Sequence, residues 1–213
     1  MKPRTIHPAP AVPLALLLGL SALLFGSCAP MARLVFGIDE ITEYREERCQ
    51  SFLDEARQLM PCTQIVSDSA TYTRVMRMDT GDTAMMQHRG QPVQVLCFDG
   101  DSLIFYHISC YAQGGAFTVD WNHYHSFDRF PPAPTIVPDS AGTMTLKRYA
   151  ELYPGLSGPT RYTVVVFWTN VLRRVSMQAV RNVAECIKGH EADCRVVLVC
   201  TDKWFASTLR QSR

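Results

Sequence analysis

A strong charge of either sign is what this chain of 213 residues most plainly lacks. Its 21 Lys and Arg stand against 20 Asp and Glu, a net of +1. That balance gives no general reason to bind nucleic acid or an acidic surface. The chain also lacks an apolar run long enough to span a bilayer. The run from Leu14 to Phe25 has twelve residues, whereas a spanning helix needs about 20. No internal repeat and no long low-complexity tract is evident. No two cysteines are separated by two residues, so there is no Cys-x-x-Cys redox motif. What is present is a globular composition, 47% hydrophobic and 19% charged, which excludes a disordered chain. Eight cysteines are too few for a disulfide-dense miniature fold and too many to pass over.

Residues 1–27 read as an address. Lys2 and Arg4 give a positive start, the twelve-residue apolar run follows, and Gly26 and Ser27 precede Cys28. Twelve residues is the size of a signal-peptide apolar region. The arrangement resembles a bacterial lipoprotein signal, although Phe25 stands where that family usually has Leu. The resemblance implies cleavage before Cys28 and lipidation of its thiol. Lipid chains contribute about 0.8 kcal/mol per buried CH₂, and more than one chain anchors stably. Ala29 follows, with no acidic run behind it, which by the same resemblance implies the outer membrane with the body facing the periplasm. Losing Lys2 and Arg4 with the signal turns an excess of one cation into an excess of one acid. The rest is long enough to bury about 70% of its unfolded surface, so disulfides are not needed for folding.

After a short spacer, residues 39–60 read as an amphipathic helix, because apolar positions recur at three and four. Asp39 is the expected cap and Pro61 the stop. Residues 72–130 read as β: a weak alternation at 72–78, then two apolar runs (93–98 and 103–108) around Asp99-Gly100, a hairpin signal, then a third strand near 116–121. Phe130-Pro131-Pro132-Ala133-Pro134 is a stiff linker and the expected domain boundary. Beyond it, 146–152 reads as a short helix. The β-branched run 162–168 reads as a strand buried on both faces. A helix is expected at 170–188, ended by Gly189, and a second buried strand at 195–200. Two such strands around a helix make a βαβ unit with parallel pairing.

Val164-Val165-Val166-Phe167-Trp168, the helix, and Val196-Val197-Leu198-Val199-Cys200-Thr201-Asp202 together resemble the front half of a thioredoxin-like domain of the membrane-anchored thiol–disulfide oxidoreductase type. Pro138 to Leu146 resembles that family's entry segment. The resemblance covers about 80 residues. It implies a Cys-x-x-Cys pair a few residues after Phe167-Trp168, but those positions hold Leu172, Arg173, Arg174 and Val175. The family's thiol is activated at a helix N-terminus, which leucine and valine cannot reproduce. The family also completes its sheet with two more strands and a cis-proline loop, and only eleven residues follow Asp202, none of them proline. Strands from residues 72–121 could complete the sheet instead.

Three minor signals remain. Cys186 and Cys194 flank a helix-to-strand turn and are a candidate disulfide, with Cys49 and Cys62 weaker; Cys97, Cys110 and Cys200 read as buried hydrophobes in strands. Arg173 and Arg174 in a first helical turn could hold a carboxylate or phosphate, or else point into water or pair with an acid elsewhere. His123 and His125 would share one side of an extended segment and, with Asp120 or Asp128, are a weak metal candidate. The sequence therefore predicts an α+β protein: an N-terminal helix plus antiparallel β meander, followed by a βαβ thioredoxin-like half-domain. The expected division is a signal at 1–27, helix and meander at 28–133, and an incomplete thioredoxin-like region at 134–213. The expected role is a lipid-anchored, non-catalytic binding or structural component of the cell envelope, with the membrane and an envelope protein as partners and no cofactor. The alternatives are a thiol-active protein using non-family cysteines and a metal-binding lipoprotein.

Overall fold

The computed structural model describes residues 41–78, 83–109, 120–133 and 144–211. The signal segment and Cys28, the cap expected at Asp39, Cys110, most of the strand expected near 116–121, and the entry segment up to residue 143 lie outside them. Within them the molecule mixes α and β around one five-stranded mixed sheet.

Helix α1 (Glu46–Arg57) carries acids in its first turn and Arg57 in its last, as the macrodipole favours. Its buried residues Cys49, Phe52, Leu53 and Ala56 recur at three and four. It starts later than expected, because Arg45 is extended. Strand β1 (Thr63–Val66) was not foreseen. Helix α2 (Ser69–Arg77) occupies a segment read as strand. The weak alternation there lost to a cap: the Asp68 carboxylate accepts the Thr71 N–H at 2.8 Å and the Thr71 hydroxyl at 2.7 Å. Tyr72 and Val75, three apart, then bury one face. Helix α3 (Thr83–Arg89) likewise replaces expected β structure.

Strands β2 (Gln94–Asp99) and β3 (Ser102–Ile108) form the expected hairpin. Its loop needs Gly100, whose φ is +57°. Helix α4 (Leu146–Leu152) is capped by Thr145. Strand β4 (Tyr162–Trp168) is buried along its whole length. A single 3₁₀ turn at Asn170–Leu172 leads into α5 (Arg173–Cys186), and Gly189 (φ +82°) lies just beyond. Strand β5 (Cys194–Cys200) is followed directly by α6 (Asp202–Gln211).

The strand order is β1-β5-β4-β2-β3. β1, β5 and β4 are parallel, and the hairpin joins antiparallel through β2 against β4. Strands on either side of the proline-rich segment are therefore hydrogen-bonded neighbours, and the described residues of 28–133 and of 134–213 contribute strands to one sheet. The period-two alternation of the strands sorts their side chains into two layers. Val95, Cys97, Val164, Val166, Trp168, Val196, Leu198 and Cys200 face α1 and α5. Leu96, Phe98, Val165, Phe167, Val197 and Val199 face Tyr72 and Val75 of α2 and Tyr149 of α4. Among the described residues, no helix is long and apolar enough to cross a membrane.

Candidate functional site

Parallel strands end side by side. The register sets Trp168 opposite Cys200, so the turn after β4 and the start of α6 meet at the carboxyl edge of the sheet, where open α/β sheets place their sites. Thr201 fastens the two ends, donating its N–H (2.9 Å) and hydroxyl (3.1 Å) to the Trp168 carbonyl. α1 lies over this edge. The Phe52 ring stacks on Trp168 with centroids 3.7 Å apart and planes 9° from parallel, and this contact sets Cys49, three residues earlier, above Cys200.

The result is a buried polar knot in an apolar layer. Asp202, 2% exposed, is its centre. Oδ1 accepts the Thr169 hydroxyl and the Asn170 N–H, each at 2.7 Å. Oδ2 accepts the Asn170 side-chain amide at 2.7 Å and the Cys49 thiol at 3.4 Å. Position at the start of α6 adds the helix dipole to these four donors. The Cys49 and Cys200 sulfurs are 3.2 Å apart, both residues fully buried. Ser176 closes the back, donating to the Thr169 carbonyl at 3.0 Å.

Electrostatics keep the Cys200 thiol neutral. Burial first, then the hydrogen bond with Cys49 and the Asp202 charge, push the Cys200 thiol well above its ordinary value. Burial and the neighbouring thiols push up the Tyr44 phenol beside them. A family-type redox thiol needs the opposite shift.

The four positions Leu172, Arg173, Arg174 and Val175 sit at the start of α5, next to this knot. Leu172 packs against the core and Val175 is buried. Arg173 is paired with an acid of α1. Its guanidinium pairs with Glu55 of α1 at 3.2 Å, donates to Asn170 Oδ1 at 3.1 Å and to the Arg48 carbonyl at 3.3 Å, and covers the Phe52 ring. Arg181 holds the other Glu55 oxygen at 3.4 Å. Arg174 is exposed.

The remaining sequence candidates separate. The segment of His123 and His125 is a run of turns instead of an extended strand: His125 has φ +56° and its Nδ1 lies 2.9 Å from Asp128, while His123 packs edge-on against Tyr124. Among the described residues, the group able to converge on a metal is Cys49, Cys200 and Asp202, without either histidine. Cys186 and Cys194 are free thiols, and Cys186 donates to the Arg129 carbonyl at 3.1 Å. Burial raises both, to about 12 and about 11. A separate open cleft of about 390 Å³, lined by Thr73, Arg74, Arg77 and Arg148 among others, lies between α2 and α4.

Sequence reading missed Asp202, Asn170 and Thr169 as a unit. Their one visible signal was a polar pair directly after a buried strand, Thr201-Asp202, and nothing local linked it to Cys49. Comparison with known proteins adds nothing to this geometry: no family model, no curated protein and no solved structure matches the chain.

Proposed function

We propose that the chain is a lipid-anchored envelope protein whose described body is a thioredoxin-like module without the family's thiol chemistry, acting as a binding or structural component. The observation that carries the reading is the start of α5. Where the resemblance calls for Cys-x-x-Cys, Leu172 and Val175 pack into apolar surroundings and Arg173 is held by Glu55, so α1 covers the edge a substrate disulfide would have to approach. The fold part of the reading is supported by the strand order. Three parallel strands carry an antiparallel hairpin at residues 94–108, and on this reading the hairpin stands in for the two strands that the family places after the position of Asp202. The lipid part rests on Lys2, Arg4, the apolar run and Gly26-Ser27-Cys28.

Metabolic labelling with a palmitate analogue, followed by membrane fractionation, tests the anchor. Label and membrane recovery are expected for the wild type and lost in Cys28→Ser; an unlabelled, freely soluble wild type overturns it. An insulin-reduction assay tests the module. No turnover is expected, and turnover that disappears on loss of any one cysteine overturns the non-catalytic reading.

A further inference from the structure

We propose that Cys49 and Cys200 are a dithiol that closes into a buried disulfide, latching α1 to the carboxyl edge of the sheet. The inference goes beyond the reading above, and only its choice of compartment rests on that reading.

The geometry favours a covalent bond over a metal. A disulfide needs the sulfurs to close from 3.2 Å to about 2.05 Å. A tetrahedral zinc with Zn–S of about 2.3 Å would instead hold two thiolates about 3.8 Å apart. The third candidate ligand is also engaged, since the Asp202 oxygens already accept four donors, about the full capacity of a carboxylate. On oxidation Asp202 loses only its longest contact, the one from Cys49, and keeps the three at 2.7 Å.

The chemistry is thiol–disulfide exchange with an external disulfide donor of the envelope, or with oxidised glutathione in vitro. One cysteine thiolate attacks the donor disulfide, forming a mixed disulfide and expelling one donor thiolate. The second cysteine thiolate attacks the protein sulfur of that mixed disulfide and expels the other. The protein sulfurs lose two electrons, the donor gains them, and the two cysteine protons end on the two donor thiols. Full burial of both sulfurs keeps a donor out of the folded protein, so the bond forms while α1 is undocked. For the same reason the finished bond resists reduction. It is a latch and not a shuttle, which agrees with the covered edge at α5.

The experiment blocks free thiols with iodoacetamide in denaturant, without reductant, and then maps tryptic peptides. Two samples are compared: full-length protein isolated from the envelope, and protein refolded from denaturant with oxidised glutathione. The expected result in both is one linked species joining residues 49–57 to residues 196–203, two hydrogens lighter than the separate peptides. Reductant should raise the unfolding equilibrium constant of that protein by about 30-fold or more, and leave the Cys49→Ala/Cys200→Ala double variant unmoved. Linkage after refolding but not in the envelope sample removes the compartment reading and keeps the pair. Full alkylation of both cysteines in both samples, linkage to a different cysteine, or zinc retained by the reduced wild type and lost in Cys200→Ala overturns the pair.

Discussion

The two faces of the sheet are built from different side chains. The face under α1 and α5 holds or borders all six described cysteines, together with Trp168 and Phe52. The face under α2 and α4 holds no described cysteine and is rich in tyrosine: Tyr72, Tyr106, Tyr149 and Tyr153. Three of these hydroxyls are spent on fixed partners. Tyr72 donates to the Gln91 carbonyl at 3.1 Å, Tyr106 to the His88 carbonyl at 3.1 Å, and Tyr153 shares a 2.7 Å hydrogen bond with Ser67. The tyrosine face is therefore chemically quiet. Burial holds the Tyr72, Tyr149 and Tyr153 phenols above their ordinary range, so none ionises near neutral pH. The cysteine face carries the groups that respond to the surroundings: thiols, and a buried imidazole at His107. One strand separates the two characters, since consecutive residues of β4 point to opposite layers.

The largest effect that sharpens this contrast comes from two neighbours on β4. Trp168→Ala and Phe167→Ala should each lower stability by about 3–5 kcal/mol, through lost burial and a residual cavity. Denaturant midpoints measure that loss, and hydrogen exchange tells the faces apart. Trp168→Ala removes the ring stacked on Phe52 and should accelerate exchange in α1. Phe167→Ala removes the ring packed near Tyr72, Tyr149 and Tyr153 and should accelerate exchange in α2 and α4. Identical exchange profiles would mean that the two layers do not loosen separately.

Much of the sheet was legible because its strands announce themselves locally. The β-branched run at Tyr162–Trp168 is buried on both faces and could be read without partners, and Asp99-Gly100 marks the hairpin through a backbone only glycine adopts cheaply. Ser69–Arg77 was misread because an Asp68 cap outweighs a weak alternation. The site was not legible. Cys49 and Cys200 lie 151 positions apart, and what brings them together is a strand register, a ring stack and a carboxylate cage. None of these leaves a spacing in the sequence. The same applies to Arg173, whose partner Glu55 belongs to a helix 118 positions earlier.

Acid should strike the cysteine face next. His107 is 1% exposed among Phe105, Trp121 and Phe127, and burial lowers its pKa to about 4. An unfolded histidine titrates near about 6.5, so below that value the unfolded state binds the proton more readily. Stability is full above about pH 6.5 and falls as the pH drops toward 4, by about 2–3 kcal/mol. His107→Phe keeps an aromatic ring and removes the proton site, so its stability should change less over that range. Equal slopes for both proteins in chemical denaturation at stepped pH would remove His107 as the cause.

The smallest effect lies on the quiet face, and it tests whether the tyrosine hydroxyls act one by one. Ser67 Oγ donates to the Asp68 carbonyl at 3.1 Å, which leaves the Tyr153 hydroxyl to donate to Ser67. Tyr153→Phe deletes that donor without orphaning the serine proton. The loss is thus the net worth of one neutral hydrogen bond, about 1 kcal/mol. Ser67→Ala removes the acceptor and leaves a buried phenol proton unsatisfied, so it should cost more than Tyr153→Phe. The double variant should cost less than the two single losses added, because the second change removes an interaction the first has already broken. Exchange in α1 should stay at its wild-type rate in all three, since Ser67 and Tyr153 lie in or beside the opposite layer. Strict additivity would show that the 2.7 Å contact contributes nothing, and a faster α1 would show that the two faces are coupled through the sheet.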